Sequence, residues 1–140
     1  MSRILAVDWG TQRVGVAISD PGGVLARSLP TLVVRGPRDA LVQVAALARR
    51  EGAAVILIGL PLHLSGEPGE SARAARKLGA GLSAEGFRVL YRDERLSSEK
   101  ARDLLRERGE RRPEPGRVDA MTAALLLQEH LDGEPGGGVA

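Results

Sequence analysis

The chain has 140 residues, 43% hydrophobic and 27% charged, with a net charge of +2, no Cys, 18 Gly, 8 Pro and three aromatic side chains, Trp9, Phe87 and Tyr91. A chain of this length buries about two thirds of its unfolded surface, so its core needs neither disulfides nor a structural metal, and a zinc or disulfide mini-fold is excluded. Asp8 interrupts the N-terminal apolar residues too early for a signal peptide, no stretch approaches the roughly 20 apolar residues of a membrane span, and stacking platforms for single-stranded nucleic acid lack the rings they need.

The expectation is one cytoplasmic domain over residues 1–132 with a flexible tail over 133–140 and no membrane partner. Arg3 to Trp9 and Val14 to Ser19 read as two strands joined by the tight turn at Gly10-Thr11-Gln12-Arg13. Pro21-Gly22-Gly23 makes a second turn, and Val24 to Val34 is the third strand of an antiparallel meander. Apolar residues then recur at helical spacing from about 38 to 50 and stop at Gly52. Ala53 to Ile58 is continuously apolar, as a strand covered on both faces would be. Ser71 to Ser83 reads as a helix, Phe87 to Tyr91 as a short strand, Ser97 to Arg108 as a helix and Val118 to Leu131 as the last one. The order βββαβαβαα predicts an α/β fold: a mixed five-stranded sheet, three antiparallel strands then βαβ units, with helices on both faces. Reactive groups of such sheets gather beyond the carboxyl ends of the parallel strands.

Three acids stand out. Asp8 closes the apolar run Ile4-Leu5-Ala6-Val7, where a buried carboxylate needs a metal, a base or a catalytic task. Pairing with Arg13, or capping the turn at Gly10 to Gln12, is the structural alternative. Arg92-Asp93-Glu94-Arg95 follows the short strand, so one acid of the adjacent pair can meet Asp8 across the sheet; which one is open, because neighbouring side chains of an extended segment point to opposite sides. A locally neutralised charged loop is the alternative there. Asp119 lies near the start of the last helix, where capping or complementing the helix dipole would account for it. With no Cys and only His63 and His130, a metal site built from these acids would be a hard oxygen site suited to Mg²⁺ or Mn²⁺.

The loop from Gly59 to Gly69 overhangs the same edge. Its glycines let backbone N–H groups approach a phosphate, and Ser65 can cap the next helix. No Walker motif occurs, and His63 reads more readily as a surface residue than as a general base. Eighteen of the twenty cationic residues are Arg, whose fork matches phosphate oxygens, although genomic bias or heat resistance gives the same preference. Residues 88–117 carry ten basic against seven acidic side chains.

These segments, in this order, resemble the YqgF family, a bacterial group of ribonuclease-H-like fold related to Holliday junction resolvases of the RuvC type. The resemblance rests on Leu5-Ala6-Val7-Asp8-Trp9-Gly10-Thr11-Gln12-Arg13-Val14-Gly15-Val16-Ala17-Ile18-Ser19-Asp20, on Ile58-Gly59-Leu60-Pro61 with Gly66, on Asp93-Glu94-Arg95-Leu96-Ser97-Ser98 and on Val118-Asp119-Ala120. Gln12 stands where the family usually has a basic residue, and Ser97-Ser98 where threonines are more common. The resemblance implies a nuclease that processes the 5′ end of pre-16S ribosomal RNA in ribosome biogenesis. It carries catalytic and metal-ligand roles over to Asp8, Glu94 and Asp119.

The expected function is therefore phosphodiester hydrolysis with Mg²⁺ or Mn²⁺. Arg13, Arg92, Arg95, Ser65 and Gly66 would contact substrate, and Arg106 to Arg117 would follow the backbone. Structured RNA is favoured over branched DNA, with ribosomal precursor particles as a further partner and a monomer or homodimer as the assembly. The alternatives are a Holliday junction resolvase, which needs two active sites and hence a dimer, and a non-catalytic RNA or ribosome-assembly module. Asp8-Trp9-Gly10-Thr11 is also similar to the first phosphate motif of actin-like and sugar-kinase-like ATPases, which usually need more than twice this length.

Overall fold

A computed structural model describes residues 3–61, 69–94 and 97–133. The elements follow the expected order: β1 (Arg3–Asp8), β2 (Arg13–Ser19), β3 (Ala26–Val33), α1 (Pro37–Glu51), β4 (Ala53–Leu60), α2 (Glu70–Ala84), β5 (Arg88–Asp93), α3 (Ser97–Glu107) and α4 (Pro115–Leu131). The five strands form one sheet in the order β3-β2-β1-β4-β5. β1 to β3 pair antiparallel, and β4 lies parallel to both β1 and β5. This is the mixed sheet that the meander and the later βαβ units imply. No helix among the described residues is long and apolar enough to cross a membrane.

Strand alternation divides the core by face. Leu5 and Val7 on β1, Trp9 just after it, Val14, Val16 and Ile18 on β2, and Ile56, Ile58 and Leu60 on β4 join the apolar sides of α1 and α2 in the larger cluster. The opposite face is built from smaller residues. Ala6, Ala17 and Leu57 pack there against Ala123 and Leu127 of α4. Small side chains let that helix approach the sheet closely, and its other side takes Ala101 and Leu105 of α3 around Val118.

α4 starts at Pro115, three residues before the sequence pattern suggests. Proline suits a first helical position because its fixed φ is already helical and its missing N–H would have had no partner. β4 and β5 each run two residues further than expected, to Leu60 and Asp93, which register with one another. The proposed cap of α2 at Ser65 is replaced by Gly69 at the N-cap position, without a side-chain cap bond. Ser65 itself, with His63, Gly66, Arg95 and the tail from residue 134, lies outside the described residues.

Side-chain hydrogen bonds tie α4 along β3. Thr31 Oγ1 donates to the Gly116 carbonyl at 2.7 Å, and Ser28 Oγ donates to that of Ala120 at 3.3 Å. Gln128 Nε2 donates to the Val24 carbonyl, and its Oε1 accepts from the Ala26 N–H, both at 2.9 Å. Gly15 sets how near the helix can come. A Cβ built there would collide with the Asp119 carbonyl and lie 3.0 Å from the Asp119 Cβ. We expect Gly15→Ala to lower unfolding stability by about 1–3 kcal/mol, the usual cost of overpacking, in a denaturant titration. An unchanged midpoint would mean that α4 does not bear on β2 there.

Candidate active site

The site grows from one row across the sheet. Asp8, the last residue of β1, registers with Gly15 on β2 and with Gly59 on β4, and Gly59 registers in turn with Arg92 on β5. Two glycines therefore flank the carboxylate on the face that α4 covers, and they supply the space in which other acids can stand. A Cβ at Gly59 would lie 3.1 Å from Glu94 Oε2 and 2.7 Å from Leu126 Cδ1.

Glu94 is the acid that meets Asp8. Its N–H donates to the Leu60 carbonyl at 3.1 Å, extending the β4–β5 ladder past Asp93, and its own carbonyl accepts from Ser97 N–H at 3.0 Å as α3 begins. Residues two apart in an extended chain share a face, so Glu94 follows Arg92 toward α4. Asp93, registered with Leu60, belongs to the alternate set. Asp8 and Glu94 are each 8% exposed and their carboxyl groups share a hydrogen bond.

Asp119 is nearby but turned elsewhere. It lies one turn inside α4 rather than at the cap, and its Oδ2 accepts from Arg13 Nε at 2.9 Å across the mouth of the site. Side-chain exposures of 43% for Arg13 and 23% for Asp119 put this ion pair at the surface. Arg13 therefore pairs with Asp119, not with Asp8 as the structural alternative had it. Arg92 has a different setting from the exposed phosphate contact that the sequence suggests. It is 2% exposed beneath α4, with Nη2 3.6 Å from Glu129 Oε2. Burial, then the charge of Arg92, depresses the pKa of His130 on the same helix.

Burial dominates the electrostatics of the acid pair. It pushes Asp8 up from 3.8 to about 6 despite the hydrogen bond from Glu94, with the Asp119 charge adding to the rise. Burial raises Glu94 further, to about 11, aided by the charge of Asp8, the hydrogen bond to Asp8 and the charges of Asp119 and Asp93. At neutral pH the pair thus keeps a proton on Glu94, which donates to the Asp8 carboxylate. Two buried hard-oxygen groups with one missing charge between them are a donor set for a hard divalent cation. Among the described residues, no three His, Cys, Asp or Glu side chains stand together in a metal-holding group. The third acid, Asp119, is held by Arg13.

Comparison with known proteins places the chain. The family model described as "RuvX: Holliday junction resolvase" matches residues 2–133. The chain belongs to the RuvX/YqgF family. A protein of Anaeromyxobacter dehalogenans named "Putative pre-16S rRNA nuclease" is 42% identical over 132 residues, covering 93% of this chain and 96% of the relative. One of the same name from Lactococcus lactis is 36% identical, covering 94% of each. Among solved structures, Thermus thermophilus RuvC in complex with Holliday junction substrate matches with a TM-score of 0.63 at 16% identity over 95% of each chain. The large terminase nuclease of phage G20c, solved with bound zinc, gives 0.55 at 16% identity over 92% of this chain and 80% of the other. These likenesses establish the ribonuclease-H-like fold.

Both carboxyl groups of the pair titrate above their unfolded values, so the folded state binds protons that the unfolded state has released. Stability is full below the ordinary pKa of 3.8, falls as pH rises toward about 6 on account of Asp8, and continues to fall above that through Glu94. Asp8→Asn should therefore raise stability by about 1–3 kcal/mol at pH 7.5 and have little effect near pH 3.5, read from thermal melts across that range. A destabilised variant at pH 7.5 would show that the pair is held by compensating contacts.

Proposed function

We propose that the chain is a divalent-cation-dependent nuclease that hydrolyses phosphodiester bonds in structured RNA, with processing at the 5′ end of pre-16S ribosomal RNA as its task. The observation that carries the reading is the buried Asp8–Glu94 pair at the carboxyl ends of parallel strands. Placing two acids where burial opposes their ionisation costs stability, and a divalent cation removes that cost. The names of relatives up to 42% identical over nearly the whole chain support RNA as the substrate.

Asp8 and Glu94 would hold Mg²⁺ or Mn²⁺, with Asp119 completing the set when it leaves Arg13. Such a cation supplies an activated water and charge stabilisation for the leaving oxygen, so the protein needs no nucleophile of its own. Arg13, partly exposed beside the acids, is placed to hold a substrate phosphate. Arg92 would act from beneath, fixing β5 to α4 through Glu129 behind Glu94. The exposed cations of the α3–α4 connection, Arg108, Arg111 and Arg112, are available to the nucleic-acid backbone.

The test is cleavage of a ribosomal RNA precursor and of a four-way DNA junction, with Mg²⁺ or Mn²⁺ and with chelator, by the parent and by Asp8→Asn. Cutting of the RNA that stops in chelator and in Asp8→Asn, with binding of the RNA retained, is the expected result. Cutting of the junction alone would make the protein a resolvase. Binding without cutting of either would leave a ribosome-assembly module. Equal cutting by Asp8→Asn under matched cation would remove Asp8 from the chemistry.

A further inference from the structure

Beside the acid pair lies a cavity of about 190 Å³ lined by Gly10, Thr11, Gln12, Arg13 and Asp119. Its wall is the β1–β2 turn, which leaves β1 just after Asp8. Gly10 allows that turn to close tightly, because a Cβ there would collide with the Arg13 carbonyl. Of the two ionic groups lining the cavity, Arg13 gives its Nε to Asp119 at 2.9 Å. Its terminal nitrogens have no hydrogen-bond partner among the described residues. The cavity thus combines a polar backbone turn, a half-used guanidinium and a carboxylate that occupies the other part of that guanidinium.

We propose that this cavity is a phosphate site in which Asp119 and a substrate phosphodiester compete for Arg13, so that an entering phosphate takes the guanidinium and frees Asp119 to join Asp8 and Glu94. The inference rests on the nuclease reading and adds to it an order of events built into one ion pair. Until nucleic acid arrives, the third carboxylate is neutralised away from the other two. Once Arg13 is taken, the acid set is complete, so nucleic acid and divalent cation each strengthen the binding of the other. Linkage makes that coupling reciprocal.

The competition can be measured without cleavage. In chelator, a fluorescent RNA hairpin is titrated with the parent, Asp119→Asn, Arg13→Gln and the double variant, each checked for an unchanged unfolding midpoint; both positions are partly exposed. Asp119→Asn should tighten binding by about three- to tenfold, the scale of a partly exposed ion pair, and by less than about twofold in the Arg13→Gln background. Equal gains in both backgrounds would reduce the effect to general loss of negative charge and overturn the proposal. So would RNA binding with no gain from Asp119→Asn, which leaves the nuclease reading intact. Failure of the parent to bind RNA or junction DNA would overturn both.

Inorganic phosphate forms a second arm. If Asp119→Asn sharpens its binding but not that of RNA, the cavity is a site for free phosphate and the proposal fails as stated. Calorimetry with Mn²⁺ in the absence of nucleic acid tests the release of Asp119: Arg13→Gln should bind the cation more tightly than the parent. An unchanged affinity would show that freeing Asp119 does not complete the set.

Discussion

Removal of the Asp8 and Glu94 carboxyl groups from water is the constraint around which this face of the molecule is arranged. Burial of acids in an apolar setting is opposed by the loss of hydration, and the structure meets that opposition by sharing a proton between the two groups. The remaining design keeps the pair dry and close. Small residues on one face of the sheet admit α4, and Leu126 of that helix stands over Gly59 beside Glu94. The large core on the opposite face holds the strands in register without contributing a group to the site.

Much of this was legible in the sequence. Alternation and turn residues place β1 to β5 because a half-buried strand must alternate and a doubly covered one need not, and Asp8 declares itself as the one acid in an apolar strand. Parallel strands put the ends of β1 and β5 at the same edge, which brings the Asp93-Glu94 pair to Asp8 before any coordinates are known. The choice between them follows only from register. Once β5 extends to Asp93 and pairs with Leu60, the side-chain alternation sends Glu94 to the Asp8 face.

What stayed hidden depends on distances across the fold. An arginine after a strand looks alike whether it faces solvent or a helix, so the buried place of Arg92 is set by α4, which follows it by more than twenty residues in sequence. The partner of Asp119 is likewise non-local, 106 residues from Arg13. In sequence Gly15 lies within the expected second strand and Gly59 opens the loop that runs to Gly69. Their meaning appears only in the row they form with Asp8, where the useful property is an absent side chain.

The acids and the glycines at this site press on stability in opposite directions. The acids burden the fold above mildly acidic pH, and the glycines relieve it by letting strands, helix and carboxylates share one small volume. If the acids serve cleavage as proposed, a lineage released from that task would gain by replacing the acids but not by filling the glycines. In a descendant that had lost the chemistry, the lasting trace of the site would be the hollow between β2 and β4, and the charges that once filled it would be the first to go.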